Sequence, residues 1–191
     1  MGKGKLIVIS APSGTGKSTI IGELMKCEQL KLEFSISATT RKPRGNEQHG
    51  VEYYFLTVED FRQRIEHDEF AEYHEVYEGR YYGTLKSEIK RITAKGKNVI
   101  LDLDVMGGID VKRIYGKKAL SIFIKPPSIE TLRQRLFSRA TDSLDDINNR
   151  VDKAAYEISF ADKFDRCVVN DVLANAIEET KAIITEFIES K

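Results

Sequence analysis

Residues 11–18 read Ala11-Pro12-Ser13-Gly14-Thr15-Gly16-Lys17-Ser18, and they lie between two segments of different character. Before them, Leu6-Ile7-Val8-Ile9 is a short apolar run of the kind that forms a strand buried on both faces. After them, Lys17 to Met25 reads as a helix. The strand, glycine-containing turn and helix fit the phosphate-loop pattern G-x-x-x-x-G-K-[ST], with Ala11 in the first glycine position. The pattern needs a backbone that curls tightly enough for successive N–H groups to point at phosphate oxygens. Gly14 and Gly16 permit that path, and the helix N-terminus adds partial positive charge. Lys17 is then placed to reach the β- and γ-phosphates of a nucleotide, and Ser18 to offer its hydroxyl to Mg2+. Ala11 excludes only conformations with positive φ at its own position.

Three more buried strands are expected at Asn98 to Asp102, Ala119 to Ile124 and Arg166 to Asn170. Helical patterns alternate with them: Leu85 to Ala94 closed by Gly96, Ile109 to Tyr115 closed by Gly116, and Ile129 to Arg139 with Ser128 as N-cap. A last helix over Leu173 to Ile188 carries Ile177, Ile184 and Ile188 at helical spacing. This alternation predicts an α/β fold, a parallel sheet covered by helices on both faces. Asp102 ends its strand, where a carboxylate acting near Mg2+ is expected. Asp104 is two residues on, so strand periodicity puts both carboxylates on one face.

Two stretches break the alternation. Residues 34–84 are rich in Tyr, Phe and Thr, with strand-like pieces at Ser35 to Ser37, Tyr53 to Leu56 and Phe70 to Tyr77, and a helix over Val58 to Glu66. They read as a small mixed α/β insertion. Residues 127–156 are charged and helical and read as a lid region. A single domain is expected, with core segments 1–33, 85–126 and 157–191 around these two parts.

Composition bounds the partners. Thirty Lys and Arg against thirty Asp and Glu give zero formal net charge, which excludes a protein that coats nucleic acid through overall charge. No apolar run approaches the ~20 residues that span a bilayer, and no secretory-signal pattern opens the chain. Cys27 and Cys167 suffice for neither a metal cage nor a disulfide framework. The expectation is a cytoplasmic protein with small-molecule substrates, no nucleic acid and no membrane partner, its oligomeric state open. His49, His67 and His74 lack metal-ligand spacing and read as surface or turn residues.

A phosphate loop leaves several classes open. Asp104-Val105-Met106-Gly107 fits the D-x-x-G element of regulatory GTPases, but no N-K-x-D follows. More of the chain is accounted for otherwise. The loop, Ser37-Ala38-Thr39-Thr40-Arg41-Lys42-Pro43-Arg44, Gly50 to Phe55, Tyr82-Gly83-Thr84, Ile100 to Asp104 and Val168 to Asp171 resemble guanylate kinase in order and spacing over nearly the whole length. The T-T-R-x-P-R element is the most diagnostic of these, because the loop alone is shared by many families.

The resemblance implies a three-layer P-loop NTPase core and a reaction in purine nucleotide metabolism, Mg·ATP + GMP ⇌ ADP + GDP. It implies that residues 11–19, from Ala11 to Thr19, hold the ATP phosphates with Ser18 and Asp102 toward Mg2+, and that Arg135, Asn170 and Asp171 complete the ATP site. Arg41 and Arg44 with Tyr53 and Tyr82 look like a clamp on the GMP phosphate, since guanidinium forks match phosphate oxygens and tyrosine hydroxyls donate beside them. Glu72 looks like the guanine reader, accepting from N1–H and the exocyclic amine, with Ser37, Thr84 and Asp104 around the base. Adenine presents a lone pair at N1 and lacks the 2-amino group, so such a pocket can discriminate by as much as ~10⁴-fold. Lys17, Arg44, Arg139 and Arg150 would screen the transferring group as the catalytic set. Two other classes stay open: a guanylate-kinase-like binding module without catalysis, and a kinase for another nucleoside monophosphate.

Overall fold

The computed structural model describes residues 4–138 and 144–190. The first strand, β1 (Leu6–Ser10), is wholly buried and leads into α1 (Lys17–Met25). The chain continues through β2 (Leu32–Phe34), β3 (Ala38–Thr39), β4 (Tyr54–Phe55), α2 (Val58–Glu66), β5 (Phe70–Tyr77) and β6 (Arg80–Leu85). It then forms α3 (Lys86–Ala94), β7 (Asn98–Asp102), α4 (Val105–Tyr115), β8 (Ala119–Lys125), α5 (Ile129–Ser138), α6 (Leu144–Ile158), β9 (Arg166–Val169) and α7 (Leu173–Glu189).

Five strands make an all-parallel sheet in the order β2-β7-β1-β8-β9. Alternation along β1 sends Ile7 and Ile9 to one face, where they pack with Ile20, Leu24 and Ile184 of α1 and α7. Leu6 and Val8 go to the other, with Ile89 and Ile92 of α3 and Val111 of α4. Apolar demand on both faces is therefore met by helices, as the continuous apolar runs require. Both β1 and β7 end at the same edge of the sheet, and open α/β sheets place ligands outside the carboxyl ends of their strands.

The second sheet, β4-β3-β6-β5, is mixed: β3 pairs parallel with β4 and antiparallel with β6. α2 covers it through Phe61, which stacks on Phe70 at 4.3 Å and on Tyr81 at 5.2 Å between ring centroids. Thr57 caps α2 by accepting from the Asp60 amide at 3.0 Å. Ser128 does the same for α5, accepting from the Thr131 amide at 3.0 Å. Among the described residues, no helix is long and apolar enough to cross a membrane.

Two expectations change. Ser35 to Ser37 is not a strand; it links β2 of the parallel sheet to β3 of the second sheet. Its donors go elsewhere, Ser35 N to Ile100 O at 3.0 Å and Ile36 N to the Glu88 carboxylate at 3.2 Å. Nor do Asp102 and Asp104 share a strand face. β7 stops at Asp102, and Asp104 is the N-cap of α4, accepting from the Gly107 amide at 2.8 Å. The D-x-x-G stretch is thus a helix cap and first turn, and α4 begins at Val105, four residues before the apolar spacing announced it.

Candidate active site

The loop after β1 closes into α1 with Gly14 and Gly16 at φ of +88° and +90°. Both values lie in the left-handed region that glycine tolerates without strain. At Gly16 space adds a second constraint: a β-carbon there would lie 2.5 Å from Asn170 Nδ2. That amide donates to Thr15 O at 2.6 Å, so the end of β9 is tied to the loop. α5 lies on the loop's other side, where a β-carbon at Gly14 would crowd Leu136 Cδ2 at 2.8 Å and Leu132 Cδ1 at 3.2 Å.

Residues 11–14 and 16–19 line a cavity of about 470 Å³, together with residues 102–104 and Glu157. Lys17 Nζ forms an ion pair with Asp102 and donates to Leu103 O at 3.3 Å. The Ser18 hydroxyl and the Asp102 carboxylate both line this cavity, oxygen ligands of the kind that suits a hard divalent cation held largely by nucleotide phosphates and water. Among the described residues no group of three or more His, Cys, Asp or Glu is placed to hold a metal ion by itself.

Behind the loop, Gly14, Gly16, Thr19, Arg135, Asn170 and Asp171 border a further opening of about 280 Å³. Arg135 of α5 donates from Nη1 to Asn170 O at 2.9 Å and from Nη2 to Asp171 O at 3.3 Å. Arg135, expected over the ATP phosphates, is thus brought beside Asn170 and Asp171, expected at the adenine end.

A second cavity, about 230 Å³, opens between the two sheets and is lined by Ser37, Tyr53, Glu72, Tyr82, His74 and residues 102–104, among others. Glu72 is 7% exposed, and its Oε1 accepts from Thr84 Oγ1 at 2.7 Å. Burial pushes its carboxyl up, with the Thr84 hydroxyl and His74 opposing and the Asp104 charge adding. Gly107 at the start of α4 lies against this carboxylate; a β-carbon there would be 3.1 Å from Glu72 Oε2.

Arg41 is buried and bidentate with Glu47, at 2.8 and 3.0 Å. Glu47 and then the Tyr82 hydroxyl raise its proton affinity, so the guanidinium is permanently charged. It lies over the Tyr53 ring, 5.2 Å from the centroid, and Tyr53 meets Tyr82 edge-on at 6.1 Å. Burial, then the Tyr82 phenol, pushes the Tyr53 hydroxyl up and keeps it a donor. Three of the four expected phosphate-clamp residues therefore converge. Arg44 is exposed, and its amide donates to Glu47. Arg150 is half-buried on α6; neither it nor Arg44 borders the three cavities, and Arg139 lies outside the described residues.

Against this geometry the comparisons are decisive. The family described as guanylate kinase matches residues 3–187. The chain belongs to the guanylate kinase family. It is 57% identical over 188 residues to a guanylate kinase of Bacteroides thetaiotaomicron, covering 98% of this chain and 92% of that one. It is 58% identical over 184 residues to a guanylate kinase of Porphyromonas gingivalis, covering 96% and 98%. Among solved structures, a guanylate kinase from Anaplasma phagocytophilum superposes with a TM-score of 0.77 at 28% identity, covering all of this chain and 89% of that one. The SH3-kinase fragment of tight junction protein 3, at 15% identity and a TM-score of 0.50, shares the fold alone.

Within the guanylate kinase fold, one acid at the site was not foreseen. Glu157, near the end of α6, is half-buried and reaches the phosphate cavity. Burial pushes its carboxyl up, with Lys153 opposing and Asp104 adding. On sequence it is one more acid of a charged helix; its place at the cavity depends on how α6 packs on α5 and, through Ile158, beside Phe123 and Phe164.

Proposed function

We propose that this chain carries out the guanylate kinase reaction at the two joined cavities, transferring the γ-phosphoryl group of ATP to GMP. As a family member it is an ATP:GMP phosphotransferase of nucleotide metabolism. The observation that carries the residue assignment is the shared wall: Asp102, Leu103 and Asp104 line both the phosphate-loop cavity and the cavity of Glu72 and Tyr82. Donor and acceptor sites that share a wall can hold two phosphates in line.

In this reading residues 11–19 cradle the ATP phosphates, with Lys17 on the β- and γ-phosphates, Arg135 over the phosphates, and Asn170 and Asp171 toward the adenine end. Arg41, Arg44, Tyr53 and Tyr82 hold the GMP phosphate, and Glu72, Ser37, Thr84 and Asp104 hold the base. Arg41 would exchange or share its Glu47 partner when phosphate arrives. The attacking oxygen belongs to a phosphate already anionic at neutral pH, so no general base is required. What opposes transfer is repulsion between two polyanions. Lys17, Arg44, Arg139 and Arg150 answer it, the last two from the lid region 127–156. Ser18 and Asp102 would hold Mg2+ with the nucleotide, and the ion supplies charge screening on the β- and γ-phosphates. Closure of the insertion 34–84 and of the lid onto the core segments excludes water. A cytoplasmic location belongs to the same reading, because ATP and GMP are both available there.

The test is a coupled assay of ADP release with a panel of nucleoside monophosphates. Release confined to GMP and its close analogues supports the reading; equal rates with AMP would overturn the guanine pocket. No release with any acceptor would favour a binding module.

A further inference from the structure

Glu72 and His74 lie two apart on β5 and therefore on one face of the strand. Across the antiparallel ladder Glu72 faces Thr84 and His74 faces Tyr82. Three of these four side chains, Glu72, Thr84 and Tyr82, have proposed roles in holding GMP. The fourth, His74, lines the acceptor cavity and has none.

Its surroundings are specific. His74 Nε2 is buried without an aligned hydrogen-bond partner and stands between two carboxylates. Asp110 Oδ2, from α4, is 3.3 Å away, and Glu72 Oε2 is 3.9 Å away. The Glu72 oxygens are unequally served: Oε1 accepts from Thr84, whereas Oε2 faces His74 and the Gly107 backbone. Asp110 is held in turn by Arg113, at 3.0 Å.

We propose that His74 is a positioning residue for guanine recognition, its imidazole, braced by Asp110, keeping the Glu72 carboxylate ionised and oriented toward the base. The proposal rests on the assignment of Glu72 as the guanine reader. Guanine offers donors at N1 and at the 2-amino group, so the reader must be an acceptor on both oxygens. A protonated Glu72 would set a donor against a donor. Burial drives Glu72 toward that state, and the Asp104 charge adds to the drive. The imidazole opposes it, by charge when protonated and by its dipole when a neutral Nε2–H faces the two carboxylates. Glu72 and Asp110 face His74, with Tyr82 opposite it on the hairpin; the other ionisable groups near it are Tyr53, Asp102 and Asp104, which line the same cavity, and Arg113, which pairs with Asp110. Because Asp110 belongs to a helix of the parallel sheet and His74 to the second sheet, the bracing acts across the cleft itself.

The experiment measures kcat and both KM values from about pH 5 to 8.5 for the wild-type chain and for His74→Ala, His74→Gln, Asp110→Asn and Glu72→Gln. For His74→Ala the KM for GMP rises about 5- to 10-fold, with kcat and the KM for ATP within about twofold. The acid limb of kcat/KM for GMP, which reports free-enzyme titration, moves to higher pH by about half a unit or more. Asp110→Asn shifts both in the same direction by less. His74→Gln keeps a donor without a charge, so it recovers part of the affinity but not the limb; being close in size, it carries the test if His74→Ala does not fold. In the Glu72→Gln background, His74→Ala adds nothing further. A folded His74 variant with wild-type KM for GMP and an unmoved acid limb overturns the proposal. So does an equal loss in every parameter. If Glu72→Gln itself leaves the KM for GMP unchanged, it is the guanine assignment that fails.

Discussion

The Asn170 side-chain amide donates to Thr15 O at 2.6 Å, joining residues 155 positions apart and tying the end of β9 to the phosphate loop. Asn170 is 4% and Thr15 1% exposed, so the bond is largely shielded from water. The loop's curl is therefore held from outside as well as by its own glycines. Asn170→Ala should cost about 1–3 kcal/mol of stability, because a buried acceptor is left without its donor. It should also raise the KM for ATP several-fold more than the KM for GMP. Thermal denaturation and paired KM measurements check both; equal changes in the two KM values would place the loss in the whole fold.

Gly16 tests the same contact from the opposite side. A methyl group at position 16 would meet Asn170 Nδ2 at 2.5 Å, and φ is +90° there. Gly16→Ala should therefore be worse for ATP binding than Asn170→Ala, since it strains the backbone and displaces the amide together. Nucleotide binding followed by calorimetry is the check, and wild-type affinity would contradict the steric account.

Lys17 pairs with Asp102 and donates to Leu103 O, which places its ammonium at the wall shared by the two cavities. In the proposed reaction a single positive charge there would serve both phosphates. Lys17→Ala should lower kcat by about 10²–10³-fold, in keeping with loss of one preorganised charge at a transferring group. The circular dichroism spectrum should be unchanged. Activity close to wild type would remove Lys17 from the mechanism.

The parts of this molecule written in local pattern could be read from sequence. The α2 range, Val58–Glu66, follows from its Thr57 cap and spacing, and β7 and β8 follow from apolar runs buried on both faces. What escaped reading depends on partners far along the chain. Leu32–Phe34 is three residues long and is a strand only because Asn98 to Ile100 pairs with it. Asp104 looked like a strand residue because its capping role is set by Gly107 and the turn into α4. At the site, candidates in the phosphate loop and the T-T-R-x-P-R element could be named from motif alone, while Glu157 and His74 could not. Their chemistry comes from Asp104, Asp110 and Glu72 being folded against them. A histidine without metal-ligand spacing gives no signal of two carboxylates waiting on other elements.

Phe61 is fully buried between Phe70 and Tyr81 and holds α2 on the second sheet. Phe61→Ala should destabilise by about 3–5 kcal/mol, the range for an aromatic core side chain replaced by a cavity. Because Tyr81 and Phe70 lie on the strands that carry Tyr82 and Glu72, GMP use should suffer while ATP binding persists. Hydrogen exchange resolved by segment is the measurement: faster exchange confined to residues 54–85 fits a local core, and uniform acceleration over β1 and β7 would not.

Glu33 sets a pH dependence with a definite sign. On the edge strand β2 it receives Lys95 at 2.8 Å, Lys97 at 2.9 Å and Arg91 Nη1 at 2.5 Å. Lys95 first and then Lys97 pull its carboxyl down from 4.5 to about 2, against burial. A carboxylate more acidic in the folded chain stabilises that chain wherever it is ionised there but would take up a proton when unfolded. The contribution is complete above about 4.5 and is lost as pH falls toward about 2. Glu33→Gln should therefore lower Tm by about 2–4 °C at neutral pH, the loss of roughly 1 kcal/mol from a chain of this length. It also leaves three cations without their shared partner. Between about pH 4.5 and pH 3 the gap between wild type and variant should narrow, because the wild-type chain is losing the same interaction. A gap that stayed constant, or widened, on acidification would show that the three cations do not hold Glu33 ionised.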